Sequence, residues 1–427
     1  MTHAGRSRAG FIPELDGLRA IAIILVFLHH SRAQLPVVNM TTFYLGWYFG
    51  QGWMGVDLFF VLSGFLITGI LLETRETSNY FTGFYARRVL RIFPLYYLVL
   101  TAVIVGGSLL NVPKITATLP VSQDRWLYFC YLMNWVGLWR GHFGANSIGH
   151  FWSLAVEEQF YLVWPLIVWM VRPRTVPWVA GGLALVAALS RLLWVAHGGS
   201  QISIAWATSS RMDELFVGAL CACLFRDRER MRKIRTRLPW IACLGVGSFF
   251  CVYTSMLFFP GRATSFLYSH SAAPHTLDSA MLFFMECGGY IPLELGFGAL
   301  VLLAAHEGAE STWMQKFLRS RLLAPIGRYS YGIYVFHVPI IGLAAMFVFK
   351  RIVGGAHGYG EILVTGSAYI IGLAAVTFGI SALSYEFFEK RILRLKRHFE
   401  PRYSAPGNEA GPPAPMSARA ATASNSK

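Results

Sequence analysis

The chain has 427 residues, of which 55% are hydrophobic and only 14% charged, with a mean hydropathy of +0.48. That balance excludes an ordinary soluble domain, and the apolar residues run long enough to cross a bilayer, so the expected fold class is an all-α, polytopic membrane protein. A net charge of +15 would suggest nucleic acid in a soluble chain; in a membrane chain it is first sorted by side, and no nucleic-acid partner is expected.

Taken in order, ten candidate spans cover about 16–32, 53–72, 91–110, 150–171, 175–196, 209–225, 239–260, 278–304, 327–349 and 362–386. The weakest is 209–225, because it opens with Arg211, Asp213 and Glu214. Residues 126–138 are too short to span and read as interfacial or re-entrant. With the N-terminus in the cytoplasm, 28 of the 37 Lys and Arg fall on the cytoplasmic side and 7 on the other, leaving two within spans. A four-to-one bias is what the positive-inside rule asks of a correct count, and it places both termini in the cytoplasm.

The organisation that follows is a cytoplasmic segment over 1–10, a membrane domain over 11–392, and a basic, then disordered, cytoplasmic tail over 393–427 rich in Pro, Ala, Gly and Ser. The N-terminus imitates a signal peptide up to Ser31-Arg32-Ala33, but Glu14, Asp16 and Arg19 beside the apolar core argue against cleavage. The 6 cysteines make no C-x-x-C or zinc-like spacing. They read as small buried hydrophobes, and no metal site is expected.

Polar residues inside the spans carry the functional signal. Eleven residues separate Arg19 from His30 in the first span. At 100° per residue that is about three turns, so both lie on one helix face, about 16 Å apart. They are either a snorkelling anchor and an interfacial ring, or a site. In Tyr85–Pro94, Arg87, Arg88 and Arg91 lead into the third span, with Arg88 and Arg91 sharing a face. Positive-inside anchoring is the plainer reading; a diphosphate clamp for a nucleotide-bearing cofactor is the functional one.

Toward the outer side, Asp57, then His150, Ser153, Glu157 and Glu158, then Arg211, Asp213 and Glu214 open three spans at the depth of His30. Together they are expected to pair around a wet cavity. His337, about 15 Å into the ninth span, reads more readily as Tyr–His packing in front of Pro339. Loops 33–52, 111–149 and 261–277 are expected to shape an acceptor site; Trp47, Trp53, Trp126, Trp135 and Trp139 there are sugar platforms or, more often, an interfacial belt.

These stretches resemble acyltransferase family 3, membrane-bound O-acyltransferases that modify sugars and related acceptors. The matches are L-D-G-L-R at 15–19 running to His30, G-V-D-L-F-F-V-L-S-G-F at 55–65 and F-Y-A-R-R-V-L-R-I-F-P at 84–94. Further along come F-W-S-L-A-V-E-E-Q-F-Y at 151–161, R-M-D-E-L-F-V-G at 211–218 and Y-S-Y-G-I-Y-V-F-H at 329–337. The family's Arg-x10-His motif falls on Arg19 and His30, and its Arg-x-x-Arg motif on Arg88 and Arg91. The resemblance implies acyl-CoA (acetyl-CoA in the first place) as donor substrate, with no tightly bound cofactor. The implied acceptor is a hydroxyl of a carbohydrate or glycolipid, and the implied location a bacterial-type inner membrane.

Some relatives carry a soluble esterase-like domain after the membrane part, where this chain is expected to have only its tail. In the mechanism that results, Arg19, Arg87, Arg88 and Arg91 hold the CoA phosphates. His30 is general base or transient acyl carrier, Asp57 or Glu157 fixes its tautomer, and Arg211 steadies the oxyanion. The rival from another class is a proton-coupled secondary transporter using His30, Asp57 and Glu157, which predicts inverted repeats and interrupted helices.

Overall fold

The computed structural model describes residues 12–34, 39–140, 147–197, 205–255, 289–306, 312–353 and 358–403. The expected N-terminal segment 1–10, the tail beyond 403, loop 261–277 and Cys287 lie outside the described residues. Among those described, every regular element is helical, with one isolated bridge between Thr77 and Tyr403.

The principal helices are α1 (Pro13–Ser31), α2 (Met40–Gly50), α3 (Met54–Thr74), α4 (Tyr80–Thr101), α5 (Trp152–Met170) and α6 (Val176–Ala196). They continue with α7 (Asp213–Arg226), α8 (Leu238–Ser255), α9 (Ile291–Ala305), α10 (Ser330–Phe347) and α11 (Tyr359–Ser384). Among the described residues, six helical stretches are long and apolar enough to cross a membrane: Met40–Thr74, Tyr80–Leu110, Val176–Trp194, Leu238–Ser255, Ser330–Phe347 and Gly360–Phe399. The other four expected spans fall on α1, α5, α7 and α9. Each is shorter, or carries in its own length the charged residues that make it interesting. Residues 126–138 form two short helices, Arg125–Phe129 and Met133–Arg140, broken at Tyr131, whose φ of 55° is left-handed.

Local chemistry explains the frame. Pro13 at the first turn of α1 has the φ a helix needs and no orphan N–H, and Glu14 and Asp16 face the positive end of the dipole. At the centre of the molecule α3 packs on α7 and α1, and α1 in turn on α10. The α3–α7 crossing is set by two glycines: a Cβ on Gly64 would overlap the Leu215 carbonyl, and one on Gly218 the Val61 carbonyl. Small residues at such a crossing let backbones touch, which is how helices associate where lipid supplies no hydrophobic drive. Outward, Leu162, Leu166, Trp169 and Met170 of α5, Leu185 and Leu193 of α6, and Val364, Ile371 and Leu383 of α11 are exposed. An apolar surface of this extent suits lipid rather than water.

The cysteine reading needs a correction. The five described cysteines are free, as expected, but only Cys221 is buried; Cys130, Cys243 and Cys251 are exposed. The tryptophans divide in the same way, with Trp47 fully buried and Trp126 exposed.

Candidate active site: an arginine-lined cavity ending at a histidine cluster

Between α1, α3, α4, α5 and α10 lies a cavity of about 350 Å³. Its lining includes Arg19, Arg88, Arg91 and Arg226, together with Ser153, Glu157, Tyr161 and Tyr334. The helix faces place these groups. Arg19 is braced by Asp16 one turn earlier, at 2.8 Å. Arg88 lies over the rings of Phe84 and Tyr161, at 5.8 and 5.7 Å, contacts that orient a guanidinium without using up its donors. Arg91, three residues on, is exposed and lines the same space. Arg87 takes another direction: its Nε donates to the Gly83 carbonyl at 2.8 Å, and it does not line the cavity.

Beside Arg88, the Tyr161 hydroxyl donates to Glu157 Oε2 at 3.2 Å and also bonds Ser63. The Ser153 and Tyr334 hydroxyls are 2.5 Å apart, and Tyr334 also donates to the His150 carbonyl at 2.6 Å. Tyr334 therefore closes the cavity on one side and touches a cluster of three imidazoles on the other. His30 Nδ1 lies 2.9 Å from the Val26 carbonyl and 3.2 Å from His337 Nε2. His150 packs edge-on, its ring centroid 4.9 Å from His337 and 6.3 Å from His30. Its ring faces the Val335 and Tyr334 carbonyls, but neither nitrogen reaches hydrogen-bond geometry. Pro339, four residues after Val335, removes the helical donor to that carbonyl. His29 turns away and bonds the Gly50 carbonyl at 2.6 Å.

The expected single layer of outer polar groups is divided in two. Glu157 faces the cavity, whereas Asp57 and Arg211 are buried and bonded to each other, away from both cavity and histidines. Neither Asp57 nor Glu157 hydrogen-bonds His30. The glycine crossing sets this arrangement: with Gly64 against Leu215 and Gly218 against Val61, Asp57 at the start of α3 comes beside Arg211 just before α7. Arg211 also pairs with Glu214 at 3.0 Å. Beyond it, Arg191 pairs with Asp213 at 2.7 Å and Glu294 at 2.8 Å, so the network ties α3, α6, α7 and α9 together. His337 and His150 are the residues that motif reading did not assign. The available signal was depth: the sequence puts His150 at the level of His30, and His337 well inside its own span.

The sequence profile described as "acyltransferase domain" matches residues 12–386. The chain is 28% identical over 405 residues to the peptidoglycan O-acetyltransferase OatA of Listeria monocytogenes serovar 1/2a, covering 92% of this chain and 57% of that protein. It is likewise 28% identical over 397 residues to the O-acetyltransferase OatA of Staphylococcus aureus, covering 90% of this chain and 57% of the relative. The chain thus spans little more than half the length of these curated relatives. No solved structure matches it. The profile runs without a break from the first turn of α1 to the end of α11, through every helix that lines the cavity, and the chain belongs to the acyltransferase family 3.

Proposed function

We propose that the chain is an integral-membrane O-acetyltransferase that takes acetyl from CoA on the cytoplasmic side and delivers it to a carbohydrate hydroxyl on the other. What supports this reading is one cavity lined both by Arg19, Arg88 and Arg91 and by Tyr334, which bonds the histidine cluster through the His150 carbonyl. Guanidinium groups grip phosphates bidentately, and the roughly 16 Å along α1 from Arg19 to His30 is a reach for an extended pantetheine arm. His30 then acts on the acceptor hydroxyl as general base or carries the acetyl transiently. The name of the Listeria relative makes peptidoglycan glycan the first acceptor to try.

Sidedness tests the reading. In sealed vesicles of one defined orientation, labelled acetyl-CoA should be used only from the cytoplasmic face, and an impermeant glycan acceptor modified only on the opposite face. CoA's phosphates keep it from crossing lipid unaided. Acetylation of an acceptor confined with CoA on the cytoplasmic side, with none across, would overturn the through-membrane geometry.

A second expectation concerns the clamp. Arg88→Ala and Arg91→Ala should each raise KM for acetyl-CoA about tenfold to a hundredfold, the worth of a hydrogen bond to a charged group. Lys replacements should recover only part, because a point charge cannot make the bidentate contact. Lys keeps the charge count, so complete recovery would reduce these arginines to topology signals.

A further inference from the structure

Resting on that reading, we infer that His337 is the positioning residue of His30: it holds the proton on Nδ1 and leaves Nε2 as the reactive nitrogen. The argument is one of donors and acceptors. His337 Nδ1 lies 2.6 Å from the Tyr334 carbonyl. A carbonyl only accepts, so that nitrogen carries hydrogen, and Nε2 of the neutral ring carries the lone pair. His30 Nδ1 faces this lone pair at 3.2 Å and the Val26 carbonyl at 2.9 Å, two acceptors. It must therefore be the protonated nitrogen of His30, sharing its hydrogen between them.

The two acceptors are not equivalent. Val26 is four residues before His30 in α1, so its carbonyl already receives a helical N–H. Among the described residues His337 Nε2 meets no other donor, and the nitrogens of the neighbouring His150 do not reach it. His337 is thus placed to accept more strongly as His30 gains a proton in the reaction. This is the role an orienting carboxylate plays elsewhere. Burial makes it durable: His337 is fully buried, so water does not compete for Nε2. The tautomer is set through a chain of three groups, the Tyr334 carbonyl, His337 and His30, in which the two histidines are 307 residues apart in sequence.

The test compares His337→Leu, His337→Gln and wild type in full-length protein, by acetyl transfer and by ring 15N spectra assigned with His30→Gln. His337→Leu should lower kcat about tenfold or more with KM for acetyl-CoA little changed, and should mix the His30 tautomers. In His337→Gln the side-chain carbonyl stands near the lost Nε2, so much of kcat and the Nδ1–H form should return. A His30 found as Nε2–H in wild type, or unmoved by His337→Leu, would overturn the assignment. So would equal losses in the Leu and Gln variants at unchanged unfolding midpoint. The spectra need no substrate. Absent transfer alongside the expected tautomers would therefore remove the proposed function and leave the His337–His30 assignment standing.

Discussion

Replacement of His30 by Ala should lower acetyl transfer by about 10²–10⁴-fold, the range lost with a general base, while the protein stays inserted and folded. His30 is half-buried at the last turn of α1, and what its ring holds is one shared hydrogen bond on Nδ1. Its ring packs against other imidazoles, those of His337 and His150, rather than against the apolar core. His29→Ala is the control: that ring lies at right angles to His30 and bonds the Gly50 carbonyl, off the Arg19 face. It should cost little in transfer. Measurement of kcat and unfolding midpoint for both variants decides it. Full transfer by His30→Ala, or loss confined to His29→Ala, would place the chemistry on another group.

The second large effect is on stability. Arg211→Met should destabilise the protein by about 3–5 kcal/mol, because it strands the buried carboxylate Asp57 and leaves Glu214 only the longer pairing with Arg191, at 4.0 Å. Removing both members, as Asp57→Asn with Arg211→Met, should recover part of that loss, since the remaining groups then leave less uncompensated charge. Unfolding followed in detergent, with each variant's transfer measured beside it, separates two roles for Arg211. A large fall in stability fits the buried tie between α3 and α7. Unchanged stability with transfer abolished would instead return Arg211 to the oxyanion.

What the sequence by itself determined is local and periodic. The helical, membrane-embedded class followed from composition and run length. The shared face of Arg19 and His30 followed from 11 × 100°, and that of Arg88 and Arg91 from a three-residue step, both of which depend only on the geometry of one helix. The structure puts Arg19, Arg88 and Arg91 on one cavity. Depth along each span was legible too, and it brought His30, Asp57, Glu157 and Arg211 to notice together. Which of these meet was decided by the tertiary structure alone. Depth says how far down a helix a residue lies, not toward which neighbour it points; that rotation is set by the crossings. The crossing at Gly64 and Gly218, each against the backbone of the other helix, goes with Asp57 on Arg211 rather than on His30. The partner His30 does find is His337, read from sequence as packing in front of Pro339. The packing of α1 against α10 brings the two rings within hydrogen-bond distance, and the Tyr334 carbonyl decides which nitrogen holds the proton.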